Sequence, residues 1–153
     1  MAENKIFTLY TNQYDEILRT GETPNNLQIA QKFVANGYDV FLLSNPRGTK
    51  SADFIIRKKN ILFYVEGKTS SGGSALSGRL SEGAKQADRI VINLTNYSKL
   101  KRLAENIKAT FIQNPSLREL LIFKGSILIQ IDRYLITSKD YSKIIFKEFN
   151  RKK

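Results

Sequence analysis

The chain has 153 residues, of which 41% are hydrophobic, so its size and composition suit one globular domain spanning 1–153. It contains no cysteine and no histidine, which excludes disulfides, cysteine nucleophiles, Ser-His-Asp triads and histidine-ligated zinc. The formal charge of +11 favours nucleic acid as a partner, with an anionic membrane surface as the alternative.

Apolar spacing and turn signals predict one mixed α/β domain. The predicted elements, in chain order, are helices at 12–19 and 24–36, strands at 38–43, 52–57 and 61–69, a serine- and glycine-rich loop at 70–77, a helix at 78–88, a strand at 90–94, a helix at 98–112, strands at 120–123 and 126–131, and a basic strand or helix at 141–153. This order predicts helices packed around one central sheet.

The N-terminal sequence is polar and resembles no secretory signal. No segment approaches the roughly 18 apolar residues of a membrane span. These features predict a soluble chain, which could still be a module of a larger secreted protein.

Three ionisable residues meet at one end of the hairpin predicted at 52–69. Asp53 begins one strand, and Glu66 and Lys68 end the next, two residues apart and therefore on one face. Two neighbouring carboxylates repel each other, which favours a hard cation such as Mg²⁺. A salt bridge between Lys68 and Asp53 is the alternative, and spacing alone supports both equally.

The pattern Asp53, then Glu66-Gly67-Lys68 on the next strand, resembles the PD-(D/E)XK nuclease superfamily. Ala52 stands where the family has proline. The resemblance implies a restriction-endonuclease-like core, with a motif region at about 22–96. It also implies that Asp53 and Glu66 hold a divalent metal, Mg²⁺ first with Mn²⁺ or Zn²⁺ as alternatives, and that Lys68 assists the attacking water.

Two further site residues follow from the same resemblance. Family members often carry a polar residue on the helix after the hairpin, and Gln86 matches it; a plain surface residue is the alternative. An acidic residue near the first helix often completes the site, and Glu22 matches it. A charge that stabilises the N-terminus of that helix is the alternative for Glu22.

Residues 20–96 are also similar to C-terminal toxin domains of contact-dependent growth inhibition systems. The matching positions include Gly21-Glu22, Gly37-Tyr38-Asp39-Val40, Ala52-Asp53, Glu66-Gly67-Lys68-Thr69 and Gln86-Ala87-Asp88. Such domains are typically metal-dependent tRNA nucleases, each neutralised by a cognate immunity protein. The similarity implies action in the bacterial cytoplasm after delivery within a larger secreted protein.

The string Gly67-Lys68-Thr69 is not the end of a P-loop, because the glycine required five residues earlier is replaced by Leu62. The following Ser/Gly segment is instead interpreted as a mobile loop beside the site. Four residues in and after this segment are predicted to contact nucleic acid: Ser70, Ser71, Lys85 and Arg89.

The sequence therefore predicts a metal-dependent endoribonuclease, with tRNA as the favoured substrate and a toxin role. A DNA endonuclease of the same fold is one alternative. A non-catalytic nucleic-acid-binding module, in which the triad is a structural ion pair, is the other.

Overall fold

A computed structural model describes residues 6–8, 23–43, 53–70, 74–95 and 99–151. The helices are α1 (Thr23–Ala35), α2 (Ser74–Ala84), α3 (Leu100–Gln113), α4 (Arg133–Ile136) and α5 (Tyr141–Phe149). The strands are β1 (Ile6–Thr8), β2 (Asp39–Leu42), β3 (Phe54–Lys58), β4 (Ile61–Ser70), β5 (Arg89–Leu94), β6 (Glu119–Lys124) and β7 (Ile127–Asp132). Among the described helices, none combines the length and apolar composition of a membrane span.

The strands form one mixed sheet in the order β1-β2-β3-β4-β5-β6-β7. Strands β2, β3 and β4 run antiparallel, whereas β4, β5 and β6 run parallel through the crossover helices α2 and α3. The predicted α/β class, with a mixed central sheet flanked by helices, is confirmed. Its segment from α1 to β5 has the predicted order of helix, three strands, helix and strand.

Helices cover both faces of the sheet, and each face has its own apolar cluster. Helix α1 packs with the face that presents Val40, Phe54, Val65 and Val91. Helices α2, α3 and α5 pack with the opposite face, which presents Ile90, Ile92, Leu120 and Ile122. Because side chains alternate along a strand, these clusters assign every residue of β4 to one face or the other.

A tight turn at Lys59 and Asn60 sets the register of the β3–β4 hairpin. Both residues have positive φ, 52° and 64°, as a two-residue type I′ turn requires. Lys58 consequently pairs with Ile61, and the register carries along the hairpin until Phe54 pairs with Val65. The hairpin predicted at 52–69 is confirmed over its described residues, and its turn consists of residues 59–60.

The largest departure from the predicted elements is at α2. The helix begins at Ser74, inside the segment predicted as a serine- and glycine-rich loop, and it ends at Ala84 instead of continuing to 88. Leu76 and Leu80 explain the difference, because both are almost fully buried against the sheet. Tertiary packing therefore outweighs the weak helix propensity of this segment.

Other departures lie at the edges of the domain. Strand β1 and helix α4 were not predicted, and 141–149 is a helix where a strand or helix was expected. The predicted helix at 12–19 lies outside the described residues.

Candidate active site

The hairpin brings Asp53 and Glu66 together, as predicted. Phe54 pairs with Val65, so the next positions along the two strands, Asp53 and Glu66, stand opposite each other. Phe54 and Val65 both face α1, so Glu66, the next residue of β4, projects toward α2 on the other face.

Hydrogen bonds to β4 fix Asp53 in place. Its backbone N–H donates to the Val65 carbonyl at 3.1 Å. Its carboxylate Oδ2 accepts the Gly67 N–H at 2.9 Å. The carboxylate thus accepts a β4 N–H that a longer β3 would bind through its backbone. This hydrogen bond holds Asp53 beside the strand that carries Glu66.

Glu66 is a buried acid that lacks the partners a charged group needs. Its side chain is 1% exposed, and its Oε2 atom has no hydrogen-bond partner. Burial, followed by the hydrogen bond and the negative charge of Asp53, raises the pKa of Glu66 to about 9, although Lys68 and the Gly67 N–H act in the opposite direction. An acid with these neighbours holds a proton at neutral pH unless a cation replaces it.

This pair fits a divalent metal by its chemistry. The donors are carboxylate oxygens, one of them buried and without a partner, which suits Mg²⁺. Within the described ranges, no three acidic side chains come close enough to form a larger metal-binding group. Two carboxylates are still sufficient, since Mg²⁺ is commonly held by one or two of them together with waters and substrate phosphates.

Lys68 lies on the same face as Glu66, two residues further along β4. Its Nζ is 4.0 Å from Glu82 Oε2 of helix α2, and its side chain is 18% exposed. The ion pair found for Lys68 in the described structure is therefore with Glu82, not with Asp53. The Lys68–Asp53 salt bridge that spacing left open is absent from this part of the chain.

An open cleft runs along β4 past the point where its pairing with β3 stops. Its lining comes from both flanking helices and from the strand between them: Asn25, Asn26 and Ile29 of α1, Asp53, residues 66–69 of β4, Arg79 of α2, and Gln86. The predicted residues Asp53, Glu66, Lys68 and Gln86 thus share one cleft. Gln86 reaches it from the turn just after α2, where its N–H bonds to the Gly83 carbonyl at 2.9 Å.

Arg79, which lines the cleft, and Glu82, which pairs with Lys68, are residues that the sequence did not single out. Their side chains lie three residues apart on α2, with Arg79 Nη1 4.0 Å from Glu82 Oε2. The signal was present, because Arg79, Glu82 and Gln86 follow helical spacing. All three residues lie inside the helix predicted at 78–88, so this spacing could have identified Arg79 and Glu82.

Of the four residues predicted to contact nucleic acid, the three that the structure describes do not line the cleft. Ser70 ends β4 and is buried, and its carbonyl accepts the Thr95 N–H at 2.9 Å. Lys85 is exposed after α2. Arg89 lies on the α1 face, 3.5 Å from Glu119 Oε1 and 4.2 Å over the Phe63 ring, so it points away from Glu66. These contacts stay predictions.

Glu22 and Ser71 lie outside the described residues. The helix that directly follows Glu22 in the chain does line the cleft, through Asn25 and Asn26 of its first turn. The assignment of Glu22 to the site is therefore untested and stays a prediction.

Gly67 is the residue between Glu66 and Lys68, and the packing requires glycine there. A Cβ at this position would lie 2.6 Å from Cε2 of the buried Phe54 ring. We expect Gly67→Ala to lower the free energy of unfolding by about 1–3 kcal/mol, because an added methyl group in a filled core displaces its neighbours.

Urea denaturation of Gly67→Ala and Gly78→Ala tests this expectation. Gly78 lies in α2 with no atom within 4 Å of an added Cβ, so its alanine variant should be as stable as the wild type or more so. Equal stability of Gly67→Ala and wild type would show that Phe54 yields to the methyl group.

Comparison with known proteins gives one informative match. No family model and no curated protein matches the sequence. Among solved structures, a chain of the CdiA-CT/CdiI toxin and immunity complex from Burkholderia pseudomallei is similar, with a TM-score of 0.51 and 21% identity over 84% of this chain and 99% of that chain. This similarity shows that the two chains share a fold.

Proposed function

We propose that this chain is a metal-dependent endoribonuclease toxin domain that hydrolyses phosphodiester bonds of tRNA. The observation that carries the proposal is the Asp53–Glu66 pair, in which Glu66 has a buried carboxylate oxygen without a partner and lines an open cleft beside Lys68. Burying an acid in this way is costly for folding alone. Perturbed carboxyl groups in clefts are characteristic of functional sites.

In the proposed site, Asp53 and Glu66 hold the metal. A divalent cation held by these two residues would supply a Lewis acid to polarise a phosphoryl oxygen and to lower the pKa of the attacking water. Lys68 orients that water or balances the charge that develops on the phosphate. Gln86 lines the same cleft and is assigned to positioning the substrate, and Glu22 is assigned to completing the acidic site.

Charge distribution supports a phosphate-bearing substrate. The chain carries 25 basic and 14 acidic residues, and Arg79 and Lys68 place cations along the cleft. Such an excess strengthens binding to a nucleic-acid backbone in a salt-dependent way. RNA is favoured over DNA because the sequence is similar to tRNA-nuclease toxin domains.

The toxin role rests on two similarities, the sequence pattern at 20–96 and the fold shared with a toxin and immunity complex. We accordingly propose a cognate immunity protein as partner, delivery as part of a larger secreted protein, and action in the bacterial cytoplasm. Co-expression with the immunity protein should restore growth of cells that express this chain.

A substrate panel tests the nuclease proposal. Purified protein is incubated with total tRNA, ribosomal RNA and duplex DNA, each with Mg²⁺ or with EDTA. We expect cleavage of tRNA with Mg²⁺ and none with EDTA. Preferential cutting of DNA would instead identify a DNA endonuclease of the same fold, and absence of cutting with salt-sensitive binding would identify a binding module.

Lys68→Ala should reduce the rate of tRNA cleavage by about 10²–10³-fold, since a charged group that acts in the transition state is lost. Mg²⁺ affinity should change much less, because Lys68 is not a ligand. The measurements are single-turnover cleavage rates and calorimetric Mg²⁺ binding.

The matched control is Lys143→Ala, which removes an exposed lysine of α5 and should retain the wild-type rate. A rate for Lys68→Ala equal to that of the control would remove Lys68 from the mechanism.

A further inference from the structure

The sheet face that carries Glu66 and Lys68 continues past the cleft as an exposed surface. Leu62 and Tyr64 precede Glu66 at intervals of two residues along β4, so they project from the same face. Their side chains are 56% and 60% exposed, whereas Glu66 is 1% exposed. Large exposed apolar side chains beside a site indicate a binding surface.

Neighbouring strands widen this surface. Tyr64 pairs with Ile55, and Ile55 pairs with Phe41; both are half-buried. Leu62 pairs with Arg57, whose guanidinium lies 5.1 Å from the centre of the Phe41 ring and 2.8 Å from Asp39 Oδ2. The surface therefore combines an aromatic and aliphatic row with an ion pair, and it ends at the proposed catalytic carboxylates.

We propose that an unpaired base of the nucleic-acid substrate stacks on Tyr64, with the backbone running along β4 toward Glu66 and Lys68. The inference rests on the proposed nuclease function and specifies its substrate as a single strand or a loop. Tyr64 and Glu66 are separated by two residues, about 6.6 Å at 3.3 Å per residue. A base on Tyr64 therefore places a neighbouring phosphate close to the carboxylate pair.

The positive charge of the chain and the exposure of the Tyr64 ring favour nucleic acid over a protein as the ligand of this surface. The hairpin turn next to this surface presents the exposed Lys59, on a chain of net charge +11. Aromatic rings on a sheet, with cations around them, bind bases without regard to sequence. A duplex keeps its bases stacked internally, so such a ring reaches only unpaired bases in loops, bulges or single strands.

Binding in EDTA tests the inference without any cleavage. The probes are a short fluorescent oligouridine and an RNA duplex of the same length, measured by fluorescence anisotropy. Tyr64→Ala and Tyr64→Leu, which both lack the ring, should bind the single strand about tenfold more weakly than wild type, and Tyr64→Phe should bind nearly as wild type. Thermal denaturation confirms that each variant is folded.

Tyr134→Ala is the matched control, since Tyr134 is 84% exposed on α4 and its removal should leave the affinity unchanged. Wild-type affinity in both variants without the ring would overturn the inference and assign the surface to a protein partner. Tighter binding of the duplex than of the single strand would also overturn it. Strand binding through Tyr64 without cleavage in Mg²⁺ would support the inference and contradict the nuclease function.

Discussion

Replacing Glu66 by glutamine is expected to reduce tRNA cleavage by about a thousandfold, the scale of losing an electrostatic group that acts in the transition state. Glutamine has nearly the same shape but no negative charge, so it cannot serve as an anionic metal ligand. The same substitution should make the metal-free protein more stable. Loss of activity with a gain in stability is a combination that a purely structural role of Glu66 would not produce.

The direction of the stability change follows from the raised pKa of Glu66, about 9 in the folded chain. An unfolded glutamate has a pKa near 4.3, so at neutral pH the folded state holds a proton that the unfolded state lacks. The contribution of protonated Glu66 to the free energy of unfolding is fully present below about pH 4 and is lost as pH rises toward 9. Glu66→Gln avoids this loss, so its free energy of unfolding at pH 7 should be higher than that of the wild type by about 1–3 kcal/mol.

Single-turnover cleavage and urea denaturation between pH 5 and 9, a range that lies between the pKa values of the unfolded and folded states, are the measurements. Glu105→Gln is the matched control, because it makes the same chemical change at an exposed position of α3 and should alter neither quantity. Cleavage by Glu66→Gln at the wild-type rate would exclude Glu66 from the catalytic site.

Metal binding should release about one proton per ion at pH 7, because the cation displaces the proton that Glu66 holds. The Mg²⁺ affinity should consequently rise by up to about tenfold per pH unit and level off near pH 9. Calorimetric titrations in buffers of different ionisation enthalpy measure the released proton directly.

Glu66→Gln should bind Mg²⁺ weakly and without proton release in the same titrations. Affinity that is independent of pH, with no proton released by the wild type, would mean that Glu66 is not a ligand. The same result would mean that the buried oxygen of Glu66 is a feature of folding alone.

The hairpin site could be predicted because its geometry is local. A tight turn at Lys59-Asn60 fixes the register, and alternation along β4 then places Glu66 and Lys68 on one face. Both depend on residues close together in the chain, which is why Asp53 and Glu66 were placed opposite each other correctly.

What the sequence did not reveal depends on how distant elements pack. The pairing of Lys68 with Glu82 requires the position of α2 over β4, and the start of that helix was hidden in a segment rich in serine and glycine. Arg89 lies on the α1 face because it precedes Ile90, the partner of Glu66 in the parallel register of β4 and β5, and its contact with nucleic acid stays a prediction. The burial of Glu66, which perturbs its pKa, likewise arises only in the packed domain.

Cleavage of total tRNA by wild type, Asp53→Asn and Asp53→Ala in Mg²⁺ tests the proposed metal-dependent nuclease most directly. Asparagine retains an oxygen acceptor for the Gly67 N–H that Asp53 Oδ2 now accepts, so loss of activity in that variant cannot be attributed to loss of this hydrogen bond. We predict rapid cleavage by wild type, none by wild type in EDTA, and none by either variant. Equal cleavage by wild type and the two variants would contradict the proposed site.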